Sequence, residues 1–289
     1  MGAARDAGAP FAPGRLKLAT AELNGTTIGY DTAGDGPAVV LVHAGVGDRR
    51  LWDNQMDAFS ASHQVVRLDL RGFGETALPG APFSYLDDVR ALLDHLGIER
   101  AALVGNSFGG RVTLDFALVH PERTAALVLV DSALSGYEGS AFLDRFDEEE
   151  EVLLDGGRLD EAVELNLRTW LDGPEREAAP VTPEVRARVA EMQRSSFETL
   201  VGAYEGSPEP GPVAWADPVA ATRLANVSVP TLVVVGTLDQ PDFRAISARL
   251  AAEIPGAEGA ELETAHLPAL ERPDEFNRLV LGFLARAAA

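Results

Sequence analysis

The stretch "LVGNSFGG", residues 103–110, ends a short apolar run on a serine set between glycines. The run leading into it, "RAALVGNS", is unbroken and apolar, which suits a central strand covered on both faces. The next segment, "FGGRVTLDFALVHPER", reads as a helix stopped near Pro121. A strand that passes directly into a helix at Gly105-Asn106-Ser107-Phe108-Gly109 must turn sharply. Close neighbours of the turning residue must then lack bulky side chains.

The same alternation extends outward. "PAVVLVHAG", "HQVVRLDLRGFGET" (strand to about Leu70), "TAALVLVDS" and "VPTLVVVGTLD" are further apolar strands that run into loops, and "EGAELETAH" is a weaker one. Asn24-Gly25 sits between two extended runs in "LKLATAELNGTTIGYDTAG" and predicts a hairpin. Leu86, Val89, Leu92, Leu93 and Leu96 recur at helical spacing, with Ser84 placed as N-cap. "PDEFNRLVLGFLARA" predicts a closing helix. Strands alternating with helices specify an α/β protein with a doubly wound, mostly parallel sheet. Residues 136–217 break the rhythm. They carry the acidic run 147–151, read as a solvated helix face, and helical stretches such as "LDEAVELNLRTWL" and "PEVRARVAEMQRSSFETLV". The expected division is a flexible leader over 1–15, a core over 16–135 and 218–289, and a helical insertion over 136–217.

Composition narrows the function. Among 289 residues the net charge is −21, which argues against nucleic acid and against anionic membrane surfaces. No cysteine is present, so disulfides, thiolate metal sites and cysteine nucleophiles are excluded. No window reaches the roughly 18 consecutive apolar residues of a membrane span. "MGAARDAGAPFAPG" lacks a continuous apolar segment and does not read as a secretory signal, so a cytoplasmic protein is expected. The sequence carries no signal for oligomeric state.

Gly105 to Gly109 match G-x-S-x-G in the strand-to-helix context that gives this pattern meaning. Such a turn lifts Ser107 Oγ above the sheet and aims the Phe108 N–H at a developing oxyanion. A serine needs a base, and the chain has five histidines. His63 and His95 are read as surface residues, His120 as a helix-end cap, and His43 as a brace for the loop behind its strand. His266 follows the last strand on the sheet edge where Ser107 stands, where open α/β sheets gather ligands. The base in turn needs a carboxylate. Asp239 lies just past a strand, with Asp242 and Asp131 as alternatives. In "DLRGFGET", Asp69, Arg71, Gly72 and Gly74 are read as shaping a loop, and Trp52 is read as core.

Taken together, "LVHAGVGDRRLWD", "LDLRGFGET", "LVGNSFGG" and "VVVGTLDQPDF…ETAHLPALERPDEF" resemble the α/β-hydrolase superfamily from about Leu16 to the C-terminus. The resemblance implies Ser107 as nucleophile, His266 as base and Asp239 as acid, the chain order this fold uses. It also implies a helical cap over 136–217, inserted after the sixth canonical strand. The second oxyanion donor would be the Gly45 amide, with Val46 as the alternative because His43-Ala44-Gly45 replaces the family's usual His-Gly. The expected reaction is hydrolysis of a small-molecule carboxylic ester or lactone through an acyl-enzyme, with no metal or organic cofactor required. "GNSFGG" is also similar to the elbow of carbon–carbon bond hydrolases of ring-cleavage products, although their glycine-proline-glycine oxyanion stretch is missing. Cofactor-free perhydrolysis is a further alternative, and a non-enzymatic ligand receptor would require a broken triad. Apolar residues of the insertion, among them Phe142, Leu143, Phe146, Leu167, Trp170, Leu171, Phe197 and Tyr204, are expected to line a pocket or pack the insertion onto the core.

Overall fold

A computed structural model describes residues 16–78, 80–174, 181–206 and 211–288. The leader assigned to 1–15 lies outside the described residues, as does the side chain of Tyr204.

Eight strands form one sheet: β1 (Lys17–Leu23), β2 (Thr26–Ala33), β3 (Ala38–Val42), β4 (Gln64–Leu68), β5 (Ala101–Asn106), β6 (Thr124–Val130), β7 (Thr231–Gly236) and β8 (Glu258–Leu262). Their spatial order is β1-β2-β4-β3-β5-β6-β7-β8. The β1–β2 and β2–β4 pairs are antiparallel and all the others parallel. The hairpin turns at Asn24 and Gly25, both at positive φ, as a tight turn matched to strand twist requires. β4 ends at Leu68, two residues earlier than the apolar run suggested. The chain then enters the loop that Asp69 organises.

Helices cover both faces. Val39 and Leu41 face a core shared with α1 (Asp53–Ser60), where Phe59 lies, and with α9 (Pro273–Ala287), where Phe276 and Phe283 lie. Val40 and Val42 point the other way, into a core with Leu92, Val112 and Leu250. Those three belong to α2 (Tyr85–His95), α3 (Phe108–Val119) and α7 (Pro241–Glu253). Every residue of β5 is buried, as expected for a strand sandwiched between layers. Ser84 caps α2 through its side chain, which accepts from the Asp87 N–H. Trp52 is fully buried, its ring 6.0 Å from that of Phe276, which is the core role expected of it.

Between β6 and β7 the chain inserts α4 (Ala141–Asp155), α5 (Leu159–Asn166) and α6 (Pro183–Gly206). The end of α5 widens into a π-type turn over Leu167–Asp172. Phe146, Leu167, Trp170, Leu171 and Phe197 are buried and extend the α1/α9-side core, whereas Phe142 is only half-buried. Ion pairs join α6 to the sheet domain, Arg188 to Asp53 and Arg50 to Glu191. No described helix is long and apolar enough to cross a membrane.

Candidate active site

β5 delivers Ser107 to the carboxyl edge of the sheet, and β3, its parallel neighbour, delivers the His43–Gly47 loop beside it. The chain runs outward from β3 to β4 and then crosses back to β5, so this is the point where strand order reverses and a crevice opens. Ser107 has φ 53 and ψ −113. For a non-glycine residue such a conformation costs on the order of 1–3 kcal/mol and persists only where its surroundings enforce it. Here the Ser107 N–H donates to Val130 O at 2.9 Å, and its carbonyl accepts from Ala133 N at 3.0 Å and Arg111 N at 3.1 Å.

The flanking glycines are sterically required. A Cβ on Gly105 would overlap Gly109 O and Thr113 Oγ1, and one on Gly109 would overlap the Val42 and His43 carbonyls. One on Gly110 would run into Ser132. Phe108 opens α3, so its N–H has no partner within the helix. A Cβ on Gly45 would lie 3.8 Å from Phe108 Cβ, which places the two backbones side by side.

His266 stands in the loop between β8 and a short helix, α8 (Pro268–Glu271). Its Nδ1 lies 2.7 Å from Asp239 Oδ2, and both residues are almost wholly buried. The other oxygen of Asp239 accepts from the Gln240 N–H at 2.7 Å. The Nδ1 proton therefore faces the carboxylate, which leaves Nε2 with its lone pair. Burial lowers His266 to about 4 and pushes Asp239 upward from the ordinary carboxylate range, because low-dielectric surroundings disfavour both charged forms. Among the described residues no hydrogen bond joins Ser107 Oγ to His266. Contacts of this kind commonly close only when substrate arrives.

Of the three carboxylates open in the sequence, Asp239 is the one bonded to His266. Asp242 turns away and accepts from Ser140 N (2.9 Å) and Ser140 Oγ (2.7 Å) at the start of α4. Asp131 lies behind Asp239. One oxygen of each carboxyl and one nitrogen of His266 fall within 4.8 Å of one another.

The parts that Asn106 and Trp170 play beside His266 escaped the sequence reading. Asn106, the variable position before the serine, donates to Val130 O (3.0 Å) and His266 O (3.2 Å). Trp170, in the π-type turn, accepts the His266 N–H at its carbonyl (3.2 Å) and sets its ring 4.9 Å from the imidazole. Phe243 meets the same imidazole edge-on at 4.4 Å. The turn also holds the Asp239 loop, since Gln240 Nε2 donates to Thr169 O at 2.9 Å. Neither contact has a local signature, since each joins segments far apart in the chain.

His43 and the "DLRGFGET" loop play supporting parts. His43 is fully buried, with Nδ1 donating to Ala44 O (2.8 Å) and Nε2 accepting from Leu70 N (3.0 Å), so it braces this loop as a neutral ring. Asp69 accepts from the main-chain N–H groups of Arg49 (2.8 Å) and Glu75 (2.9 Å) and pairs with the Arg49 guanidinium. Arg71 forks onto Asp88 at 2.6 and 2.8 Å and reaches Asn24 O at 2.9 Å.

The sequence profile of the alpha/beta hydrolase fold family matches residues 37–273, and the chain belongs to that family. The protein is a hydrolase. Among its relatives, a 2-hydroxy-6-oxononadienedioate/2-hydroxy-6-oxononatrienedioate hydrolase from Burkholderia vietnamiensis is 32% identical over 268 residues, 89% of this chain and 90% of the relative. The enol-lactonase from Burkholderia xenovorans LB400 has a similar structure, with a TM-score of 0.73 and 26% identity over 92% of this chain and 100% of its own. A thermophilic esterase from Thermogutta terrifontis matches with a TM-score of 0.78 and 25% identity over 94% and 100% of the two chains.

Proposed function

We propose that the protein is a serine hydrolase that cleaves a carboxylic ester or lactone through an acyl-enzyme on Ser107. The observation that carries this reading is the 2.7 Å contact of His266 Nδ1 with Asp239, in a loop tied by Asn106 to the strand end that presents Ser107. Ser107 Oγ attacks the carbonyl carbon while His266 Nε2 takes its proton. Asp239 holds the imidazole in the tautomer this requires and stabilises the imidazolium that forms. The Phe108 and Gly45 N–H groups donate to the oxyanion. The tetrahedral adduct collapses as His266 returns the proton to the leaving oxygen, and water then hydrolyses the acyl-serine by the same sequence. Residues 136–217 act as the cap and residues 16–135 with 218–289 as the core. The Trp170 and Phe243 rings beside the base favour a small or medium apolar acyl or lactone substrate.

The experiment is hydrolysis of p-nitrophenyl acetate and butyrate by the wild type and by Ser107→Ala. Activity that is absent, or unchanged in the variant, defeats the reading. A second reading, carbon–carbon bond hydrolysis, is favoured by the Burkholderia vietnamiensis relative, which is named as a hydrolase of 2-hydroxy-6-oxononadienedioate and 2-hydroxy-6-oxononatrienedioate. Turnover of a vinylogous 1,5-diketone acid at a kcat/KM above that for the esters would establish it instead.

A further inference from the structure

Asp131 is fully buried and follows β6 at φ 39, a left-handed conformation that costs a residue with a side chain. It is fixed there by its N–H, which donates to Val234 O at 2.9 Å, and by its Oδ1, which accepts the Gly236 N–H at 2.8 Å. Its Oδ2 is buried and receives no N–H or O–H from the described residues. That oxygen belongs to the carboxyl group beside Asp239. Two carboxylates sharing a dry space cannot both hold their charge, so one of them binds a proton. Asp239 already receives two N–H donors, from Gln240 and from His266. Asp131 receives one, and the proton therefore belongs on Asp131.

We propose that Asp131 is a positioning residue: it stands as a neutral acid whose Oδ2–H donates to the Asp239 carboxylate, so that Asp239 stays charged and fixed on His266. The role rests on the triad reading above. Burial and the neighbouring Asp239 hold the Asp131 carboxyl well above the usual carboxylate range, in the same direction as the donor count. The charged groups facing Asp131 are Asp239 and His266, and Glu271 and Arg244 act on that pair from farther out. A hydroxyl at this position completes the coordination of Asp239 and leaves a single negative charge behind the imidazole. An ionised Asp131 would instead put two negative charges there and bind the imidazolium too tightly for it to return its proton.

The test begins with protein carrying 13C at the aspartate side-chain carboxyls, titrated by NMR from about pH 5 to about pH 8, a range in which ordinary aspartates are ionised. One resonance is expected to keep the chemical shift of the neutral acid across the range and to be missing from Asp131→Asn. Ionisation of every aspartate by pH 5 overturns the proposal, as does a stoichiometric divalent metal in the purified wild type, which would neutralise the pair in the proton's place. This readout needs no turnover, so it stands whether or not Ser107 proves to be the nucleophile.

Kinetics supply the second arm. Asp131→Leu removes the donor and is expected to lower kcat on the order of tenfold or more. It should also move the acid limb of the kcat/KM profile upward by about one pH unit or more, because an unsupported Asp239 carboxylate holds the imidazolium harder. Asp131→Asn restores an N–H donor and should recover most of both losses. A downward displacement of that limb in Asp131→Asn would mark the loss of a negative charge and overturn the proposal. If Asp131→Leu does not fold, the asparagine variant and the NMR titration decide.

Discussion

The side-chain amide of Asn106 donates to the main-chain carbonyl of His266 at 3.2 Å, so the residue beside the elbow serine grips the loop that presents the imidazole. The same amide group holds Val130 O at 3.0 Å. Asn106→Ala is expected to leave the buried His266 carbonyl without this donor, while Val130 O keeps the Ser107 N–H, and to cost about 1–3 kcal/mol in urea unfolding. With His266 no longer tied to β5, kcat for p-nitrophenyl butyrate should fall along with stability. A variant that loses stability but keeps full kcat would show that the tie is not needed for catalysis.

The proposed role of Asp239 can be tested against its sequence neighbour. Asp239→Asn should lower kcat on the order of 10³–10⁴-fold by removing the charge and allowing the wrong histidine tautomer, with KM little changed. Asp242→Asn affects the contacts with Ser140 and with the Tyr137 hydroxyl near the start of α4. It should alter kcat far less. Equal losses in the two variants would contradict the assignment of Asp239.

The pH dependence derives from burial. In the proposed role of base His266 must be neutral, and its buried site disfavours the imidazolium, lowering it from 6.5 to about 4. The sign is therefore fixed. The kcat/KM profile should be on its plateau at neutral pH and fall only on acidification, with a midpoint below 6.5. A midpoint above that value, measured with p-nitrophenyl butyrate, would mean that the Asp239 charge outweighs desolvation.

Arg71 and Asp88 carry the loop after β4. Both are buried and joined by a two-pronged contact. Arg71→Ala leaves the Asp88 charge in the core without its partner and should cost about 3–5 kcal/mol in urea unfolding. Replacing both, Arg71→Met with Asp88→Leu, should cost clearly less, because no lone charge remains.

How much of this could be read from the sequence depended on the range of each interaction. Asn24-Gly25, the Ser84 cap and the glycines around Ser107 were legible because each answers a local steric or hydrogen-bonding demand. Strand–helix alternation ordered the sheet well enough to place Ser107 and His266 on one edge. Asp131, Asp239 and Asp242, which follow β6 and β7 within a few residues, could not be ranked by position alone. They are separated by backbone direction, notably the positive φ of Asp131, which no residue letter records. The part played by Asn106 was hidden because the motif treats its position as variable. Trp170 reads as an ordinary core aromatic until the fold sets it against a loop nearly a hundred residues away.

That contact bears on how the protein could be re-engineered. With residues 136–217 in the proposed role of cap, the helical insertion is the module to exchange when a different substrate range is wanted. Yet its π-type turn supplies the carbonyl that takes the His266 N–H, the ring that walls the imidazole, and the anchor for Gln240 beside Asp239. A transplanted insertion would have to reproduce all three. A graft chosen for recognition alone would disturb the His266–Asp239 pair and be scored, wrongly, as a poor binder.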